Sequence, residues 1–432
     1  MEWYWILLLL FFGLIALMFT GLPIAFSFMT LSAVAMYLFM GEMGIKQLIM
    51  GMYDQLCNFN FTPIPFFMIM GEVFYQSGLI SRTLDSLSKL VKKVPGRLSV
   101  ITLLGGGVFA ALSGSAIANT AMFGSLMLPE MTKRGYSKEL TTGSIMASGT
   151  LAMVIPPSTL AVLLASIAHV SVGSVLIGAI LPGVLIVFLY IAYVIISCIL
   201  KPSLAPTYEI EDVSFKEKVE AIIKDLLPLG FIFLLVMGLI FLGWATPTES
   251  AALGALGAYI LTIAYRKFSL KLVLSTLVSS LKVTGMLLLI IAGSVGFSQI
   301  LAFSGASREA VSAVLELSSS PYVILSLMLL IAIVLGFFME QTAIMMISLP
   351  MFMPIVHASG LHPIWFCVLF LICLQIGQLT PPVGVSLFTM KGVAPPEVTM
   401  SHIMRGAIPY VLLNILALVI IIAFPIFVTL LI

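Results

Sequence analysis

Apolar residues run in long blocks along almost the whole chain, and polar residues are confined to short gaps between them. The blocks fall near 3–20, 22–40, 61–77, 98–132, 141–169, 173–200, 226–243, 248–265, 283–303, 321–356, 362–389 and 406–431. A helix needs about 20 mainly apolar residues to cross a bilayer. Lipid offers no hydrogen-bond partner to an open backbone, so each block predicts membrane helix. The blocks at 98–132, 141–169, 321–356 and 362–389 are interrupted by glycine, proline or polar residues. Between blocks lie amphipathic pieces at 81–94, 268–277 and 304–317. In the first, Leu84, Leu87, Leu90 and Val91 share one face at helical spacing. Such pieces are expected to lie along the membrane interface.

The interruptions repeat. Pro129 and Gly135 match Pro354 and Gly360 at a separation of 225 residues, and Pro156-Pro157 match Pro381-Pro382 at the same separation. Upstream the register drifts: Ser77-Gly78 lies 227 residues before Ser304-Gly305, and Pro23 lies 224 before Pro247. Basic residues favour the cytoplasmic side. Placing the N-terminus outside, and treating 98–132 and 321–356 as hairpins that leave on the side they entered, puts all 20 basic residues inside except Lys46 and Arg308. The first hairpin then enters from the cytoplasm and the second from outside, so the two copies are inverted. Inverted repeats with discontinuous helices build many secondary transporters, with the site near the midplane where the repeats meet.

The expected fold is therefore an all-α polytopic membrane protein. It is an inverted repeat with two re-entrant helical hairpins and two broken transmembrane helices. The expected division is 1–96 for the scaffold helices and arm of the first repeat, and 97–170 for its hairpin and broken helix. A connecting helix and cytoplasmic loop occupy 171–225. The second scaffold and arm occupy 226–320, the second hairpin and broken helix 321–403, and a C-terminal transmembrane helix 404–432.

Composition narrows the function. Hydrophobic residues make up 61% and charged residues 9%, with mean hydropathy +1.20, against roughly 25% charged in soluble domains. The first 20 residues lack a basic leader and a small-residue cleavage site, which predicts a retained first helix. Cys57, Cys198, Cys367 and Cys373 show no metal-binding spacing, and no transition-metal site is expected. The net charge of +2 suggests no nucleic-acid partner. Nucleotide-binding and catalytic-triad signatures are missing, so enzymatic activity is not expected and ATP-driven transport would need another chain.

The candidate chemistry sits at the interruptions. The stretch SGSAIAN at 113–119 breaks the first hairpin, and GFFMEQT at 336–342 breaks the second. A turn at that depth is tolerated only where it packs in protein or lines a cavity. Glu340 reads either as a functional intramembrane carboxylate or as the cap of the helix that follows. The proline pairs remove backbone donors and free carbonyls in the turn before them. The segments 152–158 and 377–383 thus become oxygen-rich, with hydroxyls from Ser158 and Thr380, which suits a hard cation such as Na⁺. Proton-driven carriers more typically show chains of buried acids or histidines. Here only Glu72, Glu249 and Glu340 qualify, far apart in sequence. No basic residue lies at either tip, so an anion would rely on backbone N–H groups, helix N-termini and side chains such as Ser115, Asn119, Ser158, Glu340, Gln341 and Thr342.

The motifs GLPIAFSF at 21–28, SGSAIANTAMFGSLMLPEMTKRGYSKE at 113–139, VIPPSTLAV at 154–162, ATPTESAALG at 245–254 and QLTPPVG at 378–384 together resemble one family over nearly the whole chain. The chain resembles the large membrane subunit of tripartite ATP-independent periplasmic (TRAP) transporters, the DctM family. The resemblance implies an elevator transporter in the bacterial inner membrane, driven by Na⁺ and without an organic cofactor. It implies a small four-helix membrane partner, and a periplasmic binding protein that delivers a small organic anion. It implies one sodium site at Ser113, Ala152, Ile155 and Pro156, and another at Gly336, Gly377, Thr380 and Val383. The chain departs from the family at Ala152, where glycine is usual, and at Glu340, where aspartate is common. Two other readings compete. One is a stand-alone organic-anion carrier of the same architecture. The other is a membrane enzyme or scaffold, which the scattered positions of His169, His357, His362 and His402 do not favour.

Overall fold

The computed structural model describes residues 3–91, 94–113, 115–206, 214–317 and 320–432, except the side chains of Trp3, residues 111–113 and Leu317. Lys92, Lys93, Gly114 and residues 207–213 of the expected cytoplasmic segment lie outside the described residues. Among the described residues the chain is helical, with no strand. Helices Ile24–Leu56, Val172–Leu200, Phe215–Phe241, Leu270–Phe303, Gln341–Ala358 and Met400–Ala423 are long and apolar enough to cross a membrane. Shorter apolar helices, including Pro321–Gly336 and Pro363–Leu379, supply hairpin limbs and half-helices.

The repeat is visible in the elements. The first copy runs Trp3–Phe19, Ile24–Leu56, Pro63–Gln76, the arm Leu79–Leu90, the hairpin Arg97–Ser113 and Ala116–Lys133, then Lys138–Thr150 and Thr159–Ile167. The second runs Leu227–Phe241, Pro247–Ala264, Leu270–Phe303, the arm Ala306–Leu317, the hairpin Pro321–Gly336 and Gln341–Ala358, then Pro363–Leu379 and Val385–Val393. Helix Ile180–Leu200 follows the first copy and Met400–Ala423 the second. The matched glycines have a backbone reason. Gly78 and Gly305 have φ of +72° and +75°, and Gly135 and Gly360 have +73° and +68°. Each turns the chain in a left-handed conformation just past a helix end, where a Cβ would be strained.

The copies differ in one respect that the hydropathy pattern does not anticipate. The piece at 268–277 is not a separate interfacial helix; it is the first part of the continuous 34-residue helix Leu270–Phe303. The intervening 278–282 holds neither glycine nor proline, so nothing stops the helix. At 1.5 Å per residue it is about 51 Å long, well beyond the ~30 Å hydrocarbon core. In the first copy the matching chain is divided. Ile24–Leu56 bends at Gly41, whose φ of 62° and ψ of −146° are non-helical, and ends before Pro63.

These long helices pack through small residues. Ser32 Oγ donates to the Gly293 carbonyl at 3.0 Å, and a Cβ on Gly293 would lie 2.8 Å from the Ala25 carbonyl oxygen. Close backbone approach of this kind drives helix association where lipid removes the hydrophobic advantage. The hairpin body uses the same device: a Cβ on Gly143 would lie 2.3 Å from the Gly406 carbonyl oxygen.

Candidate functional site

Both hairpins turn at a capped helix start. Ser115 precedes Ala116–Lys133, and its Oγ accepts from Ala118 N–H at 3.3 Å. Glu340 precedes Gln341–Ala358, and its carboxylate accepts from Thr342 N–H at 2.8 Å and Thr342 Oγ1–H at 3.1 Å. These residues are 225 apart, the spacing of the repeat. A side-chain acceptor there satisfies an N–H that the helix cannot bond internally. Glu340 thus performs the capping role, and it also borders the cavity described below.

The two broken helices differ in detail. Lys138–Thr150 tightens into the 3₁₀ turn Leu151–Met153, opens, and restarts at Thr159–Ile167. Ser158 caps the restart, accepting from Ala161 N–H at 3.3 Å and donating to the Met153 carbonyl at 3.1 Å. Pro363–Leu379 stops at Thr380, which leaves helical geometry at φ −81°, ψ 125°, and the chain resumes at Val385–Val393. Thr380 Oγ1 donates to the Ile376 carbonyl at 2.7 Å, and the Thr380 carbonyl accepts from Gly384 N–H at 3.1 Å. The Pro156-Pro157 and Pro381-Pro382 bonds are both cis.

Tip and break meet in each copy. In the second they touch backbone to backbone: a Cβ on Gly377 would lie 2.6 Å from Gly336 Cα. In the first, Asn119 Nδ2 donates to the carbonyls of Gly106 and Ser148, both at 3.1 Å. Asn119 is fully buried and ties the two hairpin limbs to the helix before the break. Ala152 and Pro156 are buried and Ile155 is half-buried; Val383 is 37% exposed. The side chain of Ser113 lies outside the described residues.

A cavity of about 500 Å³ joins the tips to the scaffold. It is lined by Ser115, Glu340, Gln341 and Thr342 from the tips, Gln378 from the second break, and Glu72, Tyr75 and Val283 from scaffold helices. Four of the six side chains that the sequence suggested for substrate therefore share one space. Asn119 and Ser158 are not among its lining residues; Asn119 Nδ2 and the Ser158 hydroxyl bond backbone groups. Sequence reasoning noted Glu72 only as an intramembrane carboxylate, and it passed over Gln378 although that residue opens the QLTPPVG motif.

A second arrangement was missed. Gln375 Nε2 donates to Tyr190 Oη at 3.0 Å and to Thr150 Oγ1 at 3.5 Å, and Tyr190 Oη donates to Asn414 Oδ1 at 2.7 Å. All four residues are fully buried, on four different helices. The repeat spacing was the signal that could have found them, since Thr150 and Gln375 are 225 apart.

Two hairpins, two interrupted helices and a polar cavity beside them form the architecture shared by many membrane transporters. The profile described as "Tripartite ATP-independent periplasmic transporter, DctM component" matches residues 11–427, and the chain belongs to this family. It is 31% identical, over 88% of each chain, to the C4-dicarboxylate TRAP transporter large permease protein DctM of Pseudomonas aeruginosa. It is 28% identical, over 97% of each chain, to the sialic acid TRAP transporter large permease protein SiaM of Vibrio cholerae. It matches the isethionate TRAP transporter permease protein DctMQ of Oleidesulfovibrio alaskensis at 30% identity, over 95% of this chain and 64% of that one. In fold it is similar to the Alcanivorax borkumensis YdaH transporter, at a TM-score of 0.65 and 16% identity over 93% of this chain and 97% of that one. The chain is a multi-pass protein of the inner membrane.

Proposed function

We propose that this chain is the translocating subunit of a sodium-driven importer for a small organic anion. The supporting observation is the cavity at the hairpin tips, walled on one side by scaffold helices and on the other by the hairpins and breaks. Such a wall between two bodies suits an elevator, in which the hairpin body carries its cargo past a fixed scaffold. Glu72, Tyr75 and Val283 lie toward the helix ends that the basic residues assign to the cytoplasm, so the cavity belongs to the inward-facing half of the cycle. The coupling ions would sit where tip meets break: at Ser113, Ala152, Ile155 and Pro156, and at Gly336, Gly377, Thr380 and Val383. The Gly336–Gly377 approach supports the second site, because absent side chains let backbone carbonyls converge there.

Named relatives handle C4-dicarboxylates, sialic acid and isethionate, all organic anions. The longer DctMQ relative supports a working unit larger than this chain. The reading includes a small membrane subunit and a periplasmic binding protein as partners. The test is uptake into proteoliposomes holding the chain and both partners. Uptake should require an inward Na⁺ gradient and fall to background when either partner is omitted. Full uptake on a proton gradient without Na⁺ would overturn the coupling, and full uptake by the chain alone would overturn the tripartite reading.

A further inference from the structure

The turn between Pro247–Ala264 and Leu270–Phe303 carries a strained residue. Among the described residues, left-handed backbone falls on glycines except at His169 and Arg266. Arg266 has φ +56° and stands just past the end of Pro247–Ala264. There its N–H donates to the Ile263 carbonyl at 3.0 Å, and the Lys267 N–H donates to the Thr262 carbonyl at 2.8 Å. Glycine closes such a helix end without strain. An arginine in its place costs free energy, and a strained position of this kind marks its side chain as a candidate for function. The Arg266 side chain is exposed and makes no hydrogen bond or ion pair among the described residues.

That side chain borders an open depression of about 400 Å³, lined by Arg82, Lys224, Pro228, Ala264, Tyr265 and Arg266. Three of these residues are cations and none is an acid. The acids nearby are already engaged. Asp225 accepts from Arg82 Nε and from Ser86 Oγ, and Glu220 pairs with Lys224. Arg82 keeps both terminal nitrogens without a hydrogen-bond partner, and Arg266 keeps its whole guanidinium. Tyr265 ties the parts together. Its Oη donates to the Lys224 carbonyl, and its ring centre lies 4.9 Å from the Arg82 guanidinium carbon. Two free guanidinium forks match the geometry of a phosphate group.

The depression also meets lipid. Its basic residues lie on the side that charge assigns to the cytoplasm. Leu227, Phe231, Ile260 and Ile263 lie within about one turn of Pro228 or Ala264 and are exposed. One place thus offers charge to a headgroup and apolar surface to acyl chains. Basic pockets between membrane helices on the cytoplasmic side suit anionic headgroups.

We propose that this depression binds the phosphate headgroup of an anionic phospholipid from the cytoplasmic leaflet, held by Arg82, Lys224 and Arg266. The lipid bridges the arm Leu79–Leu90 to the second-copy scaffold and reinforces the Arg82–Asp225 contact. The proposal does not depend on what the chain transports.

The test uses the purified full chain in neutral detergent, titrated with phosphatidylglycerol or with phosphatidylcholine of the same acyl chains. Native mass spectrometry reads binding, and melting temperature reads stability. The tightest phosphatidylglycerol should bind at least about tenfold more tightly than phosphatidylcholine, and it should raise the melting temperature. Arg266→Gln should weaken phosphatidylglycerol about fivefold and leave phosphatidylcholine unchanged. Lys46→Gln, on the opposite face, should change neither. Arg266→Gly relieves the backbone strain, so it should melt no lower than the unsubstituted chain without lipid while losing the same preference for phosphatidylglycerol. That pairing separates a lost headgroup contact from a damaged fold. Equal binding of the two lipids, or an undiminished phosphatidylglycerol affinity in both Arg266 variants, would overturn the proposal. Displacement of the lipid by inorganic phosphate at matched concentration would overturn it in favour of a soluble phosphate. Displacement by the small membrane subunit would overturn it by assigning the face to protein.

Discussion

Thr380 and Gly377 sit three residues apart, yet different physics decides their roles. The Thr380 hydroxyl spends its proton on the Ile376 carbonyl at 2.7 Å. Its oxygen keeps lone pairs for a cation, as a sodium ligand requires. Thr380→Val retains the β-branched shape and removes that oxygen. The expected loss is about 1–3 kcal/mol, roughly fivefold to more than a hundredfold in Na⁺ affinity. Uptake against Na⁺ concentration reads it directly, and an unchanged half-saturation point would remove Thr380 from the site. Gly377 acts by absence. A Cβ there would lie 2.6 Å from Gly336 Cα, backbone that cannot rotate away. Gly377→Ala should therefore destabilise the folded chain by about 1–3 kcal/mol and lower its melting temperature in detergent. Alanine already occupies the matching Ala152, fully buried in the first copy, so Ala152→Gly should leave melting nearly unchanged by comparison. At this scale the sequence revealed which residues are polar at depth, but not what they bond. Asn119 and Ser158 read as cargo ligands in the sequence, and in the structure Asn119 Nδ2 bonds two carbonyls and Ser158 caps a helix start. Hydropathy cannot distinguish a hydroxyl that caps from one that faces a cavity, because both interrupt the same apolar run.

Helices read well from the sequence where glycine or proline punctuates them and poorly where it does not. Positive-φ glycines ended helices where the repeat placed them, whereas the unpunctuated 278–282 let two expected pieces fuse into Leu270–Phe303. Contacts between elements were not legible, and the arm Leu79–Leu90 shows why. Its apolar face at 84, 87, 90 and 91 was apparent, but the polar side also has a specific partner. Arg82 and Ser86 both bond the Asp225 carboxylate, which lies in the π turn Ile222–Leu226 at the head of a second-copy scaffold helix. The Asp225 side chain is only 11% exposed against 48% for Arg82. The Arg82 guanidinium also stacks 4.9 Å from the Tyr265 ring centre. The arm that leads into the first hairpin is thereby clamped to the opposite repeat. In the elevator reading proposed above, the arm stays still while the hairpin moves, and such an anchor serves that role. Asp225→Ala should lower the transport rate several-fold while leaving the Na⁺ half-saturation point in place. The swap of Arg82→Asp with Asp225→Arg should recover part of that rate. Equal losses in rate and Na⁺ affinity would point to general unfolding rather than a loosened arm.

Across the whole molecule, the inverted repeat was the most legible feature, because prolines and glycines keep their register over 225 residues. What the repeat accomplishes at its centre was hidden, since it depends on which helices meet. The side chains of Thr150 and Gln375 face each other across the two copies, two residues before Ala152 and Gly377 respectively. Tyr190 and Asn414, on the helix that follows each copy, complete the chain of bonds. The Tyr190 and Tyr410 rings meet edge to face at 4.9 Å between centres and close one flank. Four helices are thus bolted together by polar groups with no access to water, where a satisfied bond is worth most and a broken one costs most. The bonds tie both interrupted helices to each other and to the helices that follow them, which suits the moving part in the elevator reading proposed above. Tyr190→Phe removes one oxygen, leaving Asn414 Oδ1 without its partner and Gln375 Nε2 with Thr150 Oγ1 at 3.5 Å. Asn414→Leu removes the far end of the same bond. Each alone should destabilise by about 1–3 kcal/mol, read as lower melting temperature in nanodiscs. The double variant should lose less than the sum, with a coupling of about 0.5–3 kcal/mol, because the second change removes a group that the first had already orphaned. Strict additivity would mean that the Tyr190–Asn414 bond contributes nothing to holding together the two helices that follow the copies.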